Sequence, residues 1–262
     1  MKITVLGATG ETGREVVRLA IAAEHTVTAL VHDAAKAPFH SQRLFIVEGD
    51  AFNLEDVKKA VKDADAVVIA LGARGNSPST STVQRGTKTV LEALKSLQKL
   101  TCRVIVITSS NGDKPPAGSS IFRRLLYAAQ LFVLDHAFAD HAEAERLLEA
   151  EDWVQYTILR PLRLLPAPQT GFILHSSPAP PSPYLPITHT DLAAAIVDVL
   201  DHPKPRQSIG VSSISTPHAP FWKTYKRVFA LIWENVKNKI LLAPVHFVKS
   251  VVGGGGGQVQ LT

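Results

Sequence analysis

The chain has 262 residues, enough for one sizeable hydrophobic core with or without a small satellite. Hydrophobic residues make up 45% and charged residues 19%, which is typical of a globular protein and excludes an intrinsically disordered one. Cys102 is the only cysteine, so an intramolecular disulfide is excluded and a reducing compartment is expected. With no secretory pattern at its start and no long uncharged apolar run, the sequence predicts a soluble, cytoplasmic protein.

Short apolar runs alternate with helical patterns through most of the chain. The predicted strands are 2–6, 26–31, 44–47, 66–71, 104–108, 155–159 and 208–213. The predicted helices are 11–23, 54–61, 82–97, 120–149 and 188–200. Apolar strands that alternate with helices indicate a parallel sheet covered on both faces. The predicted fold class is therefore α/β: a doubly wound parallel-sheet Rossmann fold with a small substrate-capping region and a C-terminal helical extension.

A glycine-rich turn lies directly between the first predicted strand and the first predicted helix. It reads Gly7-Ala8-Thr9-Gly10-Glu11-Thr12-Gly13. Glycines permit a tight turn and a close approach of the backbone to a pyrophosphate, and the unpaired N–H groups of a helix N-terminus attract phosphate. This context predicts a dinucleotide site rather than a glycine-rich turn without a ligand. The cofactor-binding residues predicted here are Gly7, Thr9, Gly10, Thr12 and Gly13.

Five segments resemble the atypical short-chain dehydrogenases, especially the NmrA-like and biliverdin reductase B-like (flavin reductase) group. They are residues 7–13, 48–50, 70–72, 108–110 and 157–161, and the resemblance extends over residues 1–213. It implies a Rossmann fold that binds NAD(P), with Asp50 contacting the adenine. It also implies that the turn with Leu71 and Gly72 lies along the cofactor.

The end of the second predicted strand decides between NADP and NAD. A carboxylate there hydrogen-bonds the 2′-hydroxyl of NAD, whereas a cation accepts the 2′-phosphate of NADP. His32 stands where the resemblance implies an arginine in NADP users, and Asp33 beside it would oppose a phosphate. Lys36 and Arg43 are further candidate cations. We predict NADP ahead of NAD; a His32 that is merely exposed at the strand end is the alternative.

The candidate catalytic residues are Ser109, Arg163 and His141. The Tyr-x-x-x-Lys pair of typical short-chain dehydrogenases is absent, since Leu131 stands four residues after Tyr127. The resemblance implies a serine after the fifth strand, which matches Ser109, and a histidine after the sixth, where this chain has Arg163. An arginine stays protonated, so it can polarise a carbonyl but cannot relay a proton, and its alternative role is a surface ion pair. His141, on the predicted long helix, is a second candidate proton source unless it is merely solvated.

These residues predict an NAD(P)H-dependent oxidoreductase that transfers hydride to a small planar or carbonyl-bearing acceptor. The alternative is a non-catalytic, NmrA-like dinucleotide-sensing regulator or scaffold, because the Tyr–Lys pair is missing and Arg163 replaces the histidine. A third hypothesis, that the protein is an isomerase with bound cofactor, has no residue that supports it. The spacing of His, Cys and carboxylate residues predicts no metal site.

The domain boundaries follow from these patterns. Residues 1–216 form the predicted Rossmann domain, in which residues 111–150 and 162–187 are expected to cap the substrate cleft. Within the second capping segment, the proline-rich run 166–186 is predicted to be a surface loop or lid. Residues 217–252 form a predicted basic amphipathic helical extension, and residues 253–262 a flexible glycine-rich tail.

The extension holds the whole net charge of +5 and a wide apolar stripe. The stripe consists of Phe221, Trp222, Tyr225, Val228, Phe229, Ile232, Trp233, Val236 and Ile240. We expect this helix to pack on the domain or across a homodimer. Peripheral contact with an anionic membrane is the alternative, and nucleic-acid binding is not expected because no recognised module accompanies the stripe.

Overall fold

The computed structural model describes residues 1–37, 40–72, 81–109, 121–175 and 186–215. In chain order its elements are β1 (Lys2–Leu6), α1 (Glu11–Ala22), β2 (Thr26–Val31), β3 (Leu44–Glu48), α2 (Leu54–Val61), β4 (Ala66–Ile69), α3 (Thr82–Ser96), β5 (Arg103–Ile107), α4 (Ile121–Glu149), β6 (Gln155–Pro161), β7 (Leu164–Leu165), β8 (Phe172–His175), β9 (Ile187–Thr188), α5 (His189–Asp201) and β10 (Gln207–Ser213). A short 3₁₀ turn, Ala34–Lys36, follows β2.

Eight strands form the central sheet in the order β3-β2-β1-β4-β5-β6-β10-β8. Neighbouring strands pair in parallel except β8, which runs antiparallel to β10. The strand order reverses between β1 and β4, and in such sheets ligands bind in the crevice outside the carboxyl ends at this reversal. The predicted doubly wound Rossmann fold is confirmed.

Helices cover both faces of the sheet because the central strands are apolar on both sides. Ile3 and Val5 of β1 face a core that includes α1 and α5, whereas Leu6 faces a second core that includes α2, α3 and α4. Thr4, which lies between Ile3 and Val5 in β1, is also buried, and its hydroxyl donates a hydrogen bond to the Ala60 carbonyl oxygen at 2.7 Å. The continuous apolar runs in the sequence are thus the signature of a sheet buried between two helical layers.

The run 166–186 differs from its prediction as a surface loop or lid, because it contains β8. This strand pairs with β10 from Phe172 opposite Ser213 to His175 opposite Gly210. The pairing satisfies backbone groups that β10 would otherwise present at the sheet edge. Flanking prolines concealed the strand from the sequence pattern.

Several predicted segments lie outside the described residues. They are the first part of the capping region (111–120), residues 176–185 of its second part, and both C-terminal segments (217–252 and 253–262). The proposed capping role, homodimer and membrane contact therefore stay predictions. Within the described part of the chain, no helix has the length and apolar character needed to cross a membrane.

The N-terminus of α3 is capped from another helix. Ser81, which precedes α3, makes no capping hydrogen bond with its side chain. Instead Asp140 of α4, only 3% exposed, accepts hydrogen bonds from the backbone N–H groups of Val83 (3.0 Å) and Gln84 (2.8 Å). A carboxylate at this position satisfies orphan donors and complements the helix dipole. Asp140 therefore joins α4 to the start of α3.

We predict that Asp140→Ala lowers the free energy of unfolding by roughly 2 kcal/mol, because two charge-assisted hydrogen bonds are lost and two helix N–H groups remain unpaired. Urea unfolding monitored by circular dichroism measures the change. Asp63→Ala, at an exposed position, is the matched control and should be nearly neutral. Equal losses in the two variants would contradict the capping role.

Candidate functional site

The turn after β1 brings backbone from two strands into contact. Gly7 has a φ of +79°, which L residues with side chains rarely adopt. A Cβ atom on Gly7 would lie 2.5 Å from the carbonyl oxygen of Ala70, directly after β4. The Gly10 N–H closes the turn by donating to the Gly7 carbonyl oxygen at 3.0 Å. Only glycine fits at position 7.

Helix α1 starts against this same turn. A Cβ atom on Gly13 would overlap the Gly7 carbonyl oxygen, so the helix and the turn meet backbone to backbone. Gly10 is the N-cap residue and supplies no side chain to cover the first N–H groups of α1. A pyrophosphate fits this arrangement, since the turn lacks side chains at its closest approaches and the helix N-terminus faces the same end of the sheet.

Two carboxylates organise the end of β2, where the adenosine ribose is expected. His32 is exposed there. Asp33 accepts a hydrogen bond from the Ala35 N–H, and Glu48, at the end of β3, accepts one from the Ala34 N–H, both at 3.0 Å. Both acids are thus engaged by the backbone of the 3₁₀ turn.

Arg43 is not part of this ribose region, and its inclusion among the candidate cations was wrong. It precedes β3, so it lies at the amino end of that strand, whereas His32 follows the carboxyl end of β2. Its guanidinium donates to the Glu24 carbonyl oxygen at 3.0 Å, near the amino ends of the strands. The Lys36 side chain lies outside the description, so its role stays a prediction.

Asp50 and Leu71 are held by local contacts. Asp50 accepts a hydrogen bond from the Phe52 N–H at 2.9 Å, and its own N–H donates to Asp56 at 3.1 Å. That backbone hydrogen bond, together with Lys59, lowers the pKa of Asp56. The Leu71 side chain occupies the space next to the Cα of Gly86 in α3, so it packs on the helix.

Gly72 differs from the other glycines of the site, because a Cβ atom there would meet no atom of the described residues within 4 Å. Whether Asp50, Leu71, Gly72 and Thr9 contact the cofactor stays a prediction.

A polar cluster joins α4 to the carboxyl ends of β5 and β6. The Thr108 hydroxyl donates to Glu145 at 2.6 Å, and the Arg160 guanidinium lies 3.2 Å from the same carboxylate oxygen. Glu145 and Arg160 are 15% and 18% exposed, so the ion pair is largely shielded from solvent. Glu145 was not among the residues predicted from the sequence; its spacing of four from His141 on one helix was the available signal.

His141 lies one helical turn before Glu145 and on the same face of α4. Its Nδ1 atom is buried and has no hydrogen-bond partner among the described residues. Burial lowers the pKa of His141; Asp140 opposes this effect and Arg160 adds to it. The imidazole is therefore mainly neutral near pH 7.

Ser109 and Arg163 follow the carboxyl ends of two neighbouring strands, β5 and β6. Ile107 pairs with Leu159, so the residues after β5 and β6 emerge side by side. Both residues are half-buried, and the Arg163 carbonyl oxygen accepts a hydrogen bond from the Ile187 N–H at 2.8 Å. The fold thus brings Ser109, Arg163 and the α4 segment with His141 to one end of the sheet.

One contact of the site was not foreseen from the sequence. The Thr12 hydroxyl, at the start of α1, lies 2.8 Å from Nδ1 of His189, the first residue of α5. The two residues are 177 positions apart, so no local pattern could connect them.

The chain belongs to the NAD(P)H-binding family, whose model matches residues 7–203. This match includes the glycine-rich turn and every strand of the sheet from β2 to β6. The predicted nicotinamide dinucleotide cofactor is confirmed at the level of NAD(P)H.

Curated relatives match the chain over different lengths. Oxidoreductase stcQ of Emericella nidulans is 24% identical over 213 residues, which are 75% of this chain and 76% of that protein. Photosystem II assembly factor Ycf39 of Synechocystis is 38% identical over 30% of this chain, and YwnB of Bacillus subtilis is 41% identical over 28%. The matched segments span only 25% of Ycf39 and 32% of YwnB.

Solved structures share the fold. A short-chain dehydrogenase/reductase from Veillonella parvula in complex with NADP has a TM-score of 0.65 and 20% identity, covering 84% of this chain and 98% of that one. ChuY, an anaerobilin reductase from Escherichia coli O157:H7, has a TM-score of 0.63 and 20% identity, covering 84% of this chain and 100% of that one. At such identities the likeness concerns the Rossmann fold.

We predict that Gly13→Ala weakens NAD(P)H affinity at least about tenfold and lowers stability, since the new methyl group must displace the Gly7 carbonyl. Calorimetric titration and urea unfolding measure the two effects. Gly72→Ala is the control for stability, because its methyl group would meet no atom of the described residues within 4 Å. Wild-type affinity in Gly13→Ala would contradict the assignment of the turn.

Proposed function

We propose that the chain is an NADPH-dependent reductase of a small planar or carbonyl-bearing acceptor. The observation that carries the proposal is the half-buried His141, whose Nδ1 atom is buried and has no hydrogen-bond partner among the described residues. It lies one turn of α4 before Glu145, which accepts a hydrogen bond from Thr108, and Thr108 directly precedes Ser109. A proton-transferring group is thus available beside the carboxyl end of β5.

Gly7, Gly10 and Gly13 would hold the pyrophosphate of the cofactor against the N-terminus of α1. His32 would lie at the adenosine ribose. When bound, reduced nicotinamide supplies a hydride. The chain must then provide a binding place for the acceptor, stabilise the negative charge that develops on it, and deliver one proton to complete the reduction.

Ser109 and Arg163 stabilise the developing charge in this proposal. The serine hydroxyl donates a hydrogen bond to the acceptor oxygen, and the guanidinium polarises the same group or clamps a carboxylate of the substrate. Arg163 remains charged throughout, so it cannot supply the proton.

His141 supplies the proton. Glu145 positions this part of α4 by binding Thr108, while Arg160 neutralises the Glu145 carboxylate. The low pKa of His141, caused first by burial, makes its protonated form a strong acid. The protonated form is then regenerated from solvent between turnovers.

The test is steady-state NADPH oxidation over a panel of quinones, flavins and enones. We expect Ser109→Ala to lower kcat at least about tenfold with NADPH affinity nearly unchanged. Arg163→Ala should raise KM more than it lowers kcat. If the wild type binds NADPH but turns over no member of the panel, the proposal fails, and the dinucleotide-sensing regulator becomes the better interpretation.

The pH profile of kcat tests His141. Its pKa is lowered from 6.5, and the acid form is required for reduction, so kcat should rise as the pH falls below 6.5. His141→Gln should flatten this limb and lower kcat at pH 6 by at least about tenfold. His202→Gln, at the exposed end of α5, is the control. An unchanged acidic limb in His141→Gln would remove the histidine from the mechanism.

NADP preference over NAD is also part of the proposal. It is supported by the position of His32 after β2 and by the engagement of Asp33 and Glu48 with backbone N–H groups. These hydrogen bonds offset part of the negative charge that would oppose a 2′-phosphate.

We expect the ratio of NADP to NAD affinity to exceed one, because an imidazolium at His32 pairs with the 2′-phosphate. Calorimetric titration with each dinucleotide measures the ratio. His32→Ala should lower the ratio, with Arg43→Ala as the control. A ratio that is unchanged in His32→Ala would shift the role to Lys36.

A further inference from the structure

His189 connects the phosphate-binding turn to the start of α5. Its Nδ1 lies 2.8 Å from the Thr12 hydroxyl, and its Nε2 lies 3.0 Å from a carboxylate oxygen of Glu11. The imidazole is 17% exposed and Thr12 only 7%, whereas Glu11 is 67% exposed. Both ring nitrogens are therefore used by the first two residues of α1.

The partners determine the tautomer of the neutral ring. The Glu11 carboxylate only accepts hydrogen bonds, so Nε2 must carry the hydrogen. Nδ1 is then an acceptor, and the Thr12 hydroxyl must donate to it. In this state the hydroxyl hydrogen points to His189, and the oxygen presents only lone pairs to any other group.

Protonation of the ring reverses the direction of the hydrogen bond between Nδ1 and the Thr12 hydroxyl. An imidazolium donates from both nitrogens, so the Thr12 oxygen becomes the acceptor and its hydrogen is released to donate elsewhere. Thr12 is the second residue of α1, the helix whose N-terminus would hold the pyrophosphate. A released hydroxyl hydrogen, and a positive charge behind it, favour an anion at that place.

We propose that His189 is a positioning residue of the dinucleotide site, which takes up a proton when the dinucleotide binds and thereby turns the Thr12 hydroxyl towards the pyrophosphate. The proposal rests on dinucleotide binding, which the family shows, and is independent of the proposed reduction.

The surroundings of His189 favour proton uptake when the dinucleotide binds rather than in the free chain. In the free chain, burial lowers its pKa, while Glu11 and Glu15 oppose that effect and Arg14 adds to it. Residues 165–168, which pack against the same cavity, carry no charge. The cavity has a volume of about 320 Å³ beside His189, which gives the ring a path to solvent. A bound anion adds negative charge and so favours the imidazolium.

Calorimetric titration with NADH tests the proposal without any acceptor. NADH lacks the 2′-phosphate, so neither the titration of that phosphate nor its pairing with His32 contributes. Experiments in two buffers of different ionisation enthalpy give the number of protons taken up. We expect net uptake between pH 8.5 and 6.0, and an affinity that increases at least about threefold over this range.

Three variants separate the proposal from a merely structural role. His189→Gln keeps a donor and an acceptor but cannot be protonated, so it should bind NADH like the wild type at pH 8.5 and lose both uptake and pH dependence. Thr12→Val should lose most of the pH dependence, whereas Thr12→Ser should retain it. His202→Gln, a histidine at the far end of α5, should behave like the wild type.

The proposal is overturned if the wild type takes up no proton, or if His189→Gln shows the wild-type pH profile. Full pH dependence in Thr12→Val would overturn the route through the threonine hydroxyl. Thermal melting checks that each variant is folded. Loss of reductase activity alone would leave these binding results unaffected, so failure of the proposed function is distinguishable.

Discussion

The backbone contact among Gly7, Gly13 and Ala70 is the constraint on which the site depends. Any side chain at either glycine would collide with main-chain atoms, so β1, the start of α1 and the end of β4 approach as closely as backbone allows. This approach places the N–H groups of α1 at the point where the strand order reverses. Both the family's cofactor and the proposed role of Thr12 follow from this geometry.

Helix α4 unites the second half of the site. Asp140 caps α3, which follows β4, while Glu145 reaches Thr108 at the end of β5. His141 lies between them on the helix and therefore has its position fixed from both sides. A mutation of either carboxylate is expected to act on His141 through its position as well as through charge.

The known proteins that share this fold differ in what they do, and the fold does not decide the reaction. The phosphate-binding turn accounts for the cofactor. Acceptor choice depends on the groups after β5 and β6, where Arg163 takes the place at which the resemblance implies a histidine. In our proposal, the proton that completes the reduction comes from His141 of α4 and not from a residue that follows β6.

The amino-acid sequence alone predicted the α/β class, the five helices and seven of the ten strands among the described residues, and the glycine-rich turn, because each depends on local periodicity or on glycine geometry. It also indicated Ser109, Arg163 and His141, since short motifs and chain order place them at strand ends. The tertiary structure decided which side chains meet. The Asp140 cap, the Thr108–Glu145–Arg160 cluster and the Thr12–His189 contact join residues 15 to 177 positions apart. It also removed Arg43 from the ribose region. Arg43 lies at the amino end of β3, whereas the ribose region lies at the carboxyl ends of the parallel strands. Such pairings depend on how helices pack across the sheet, and no local pattern encodes that packing.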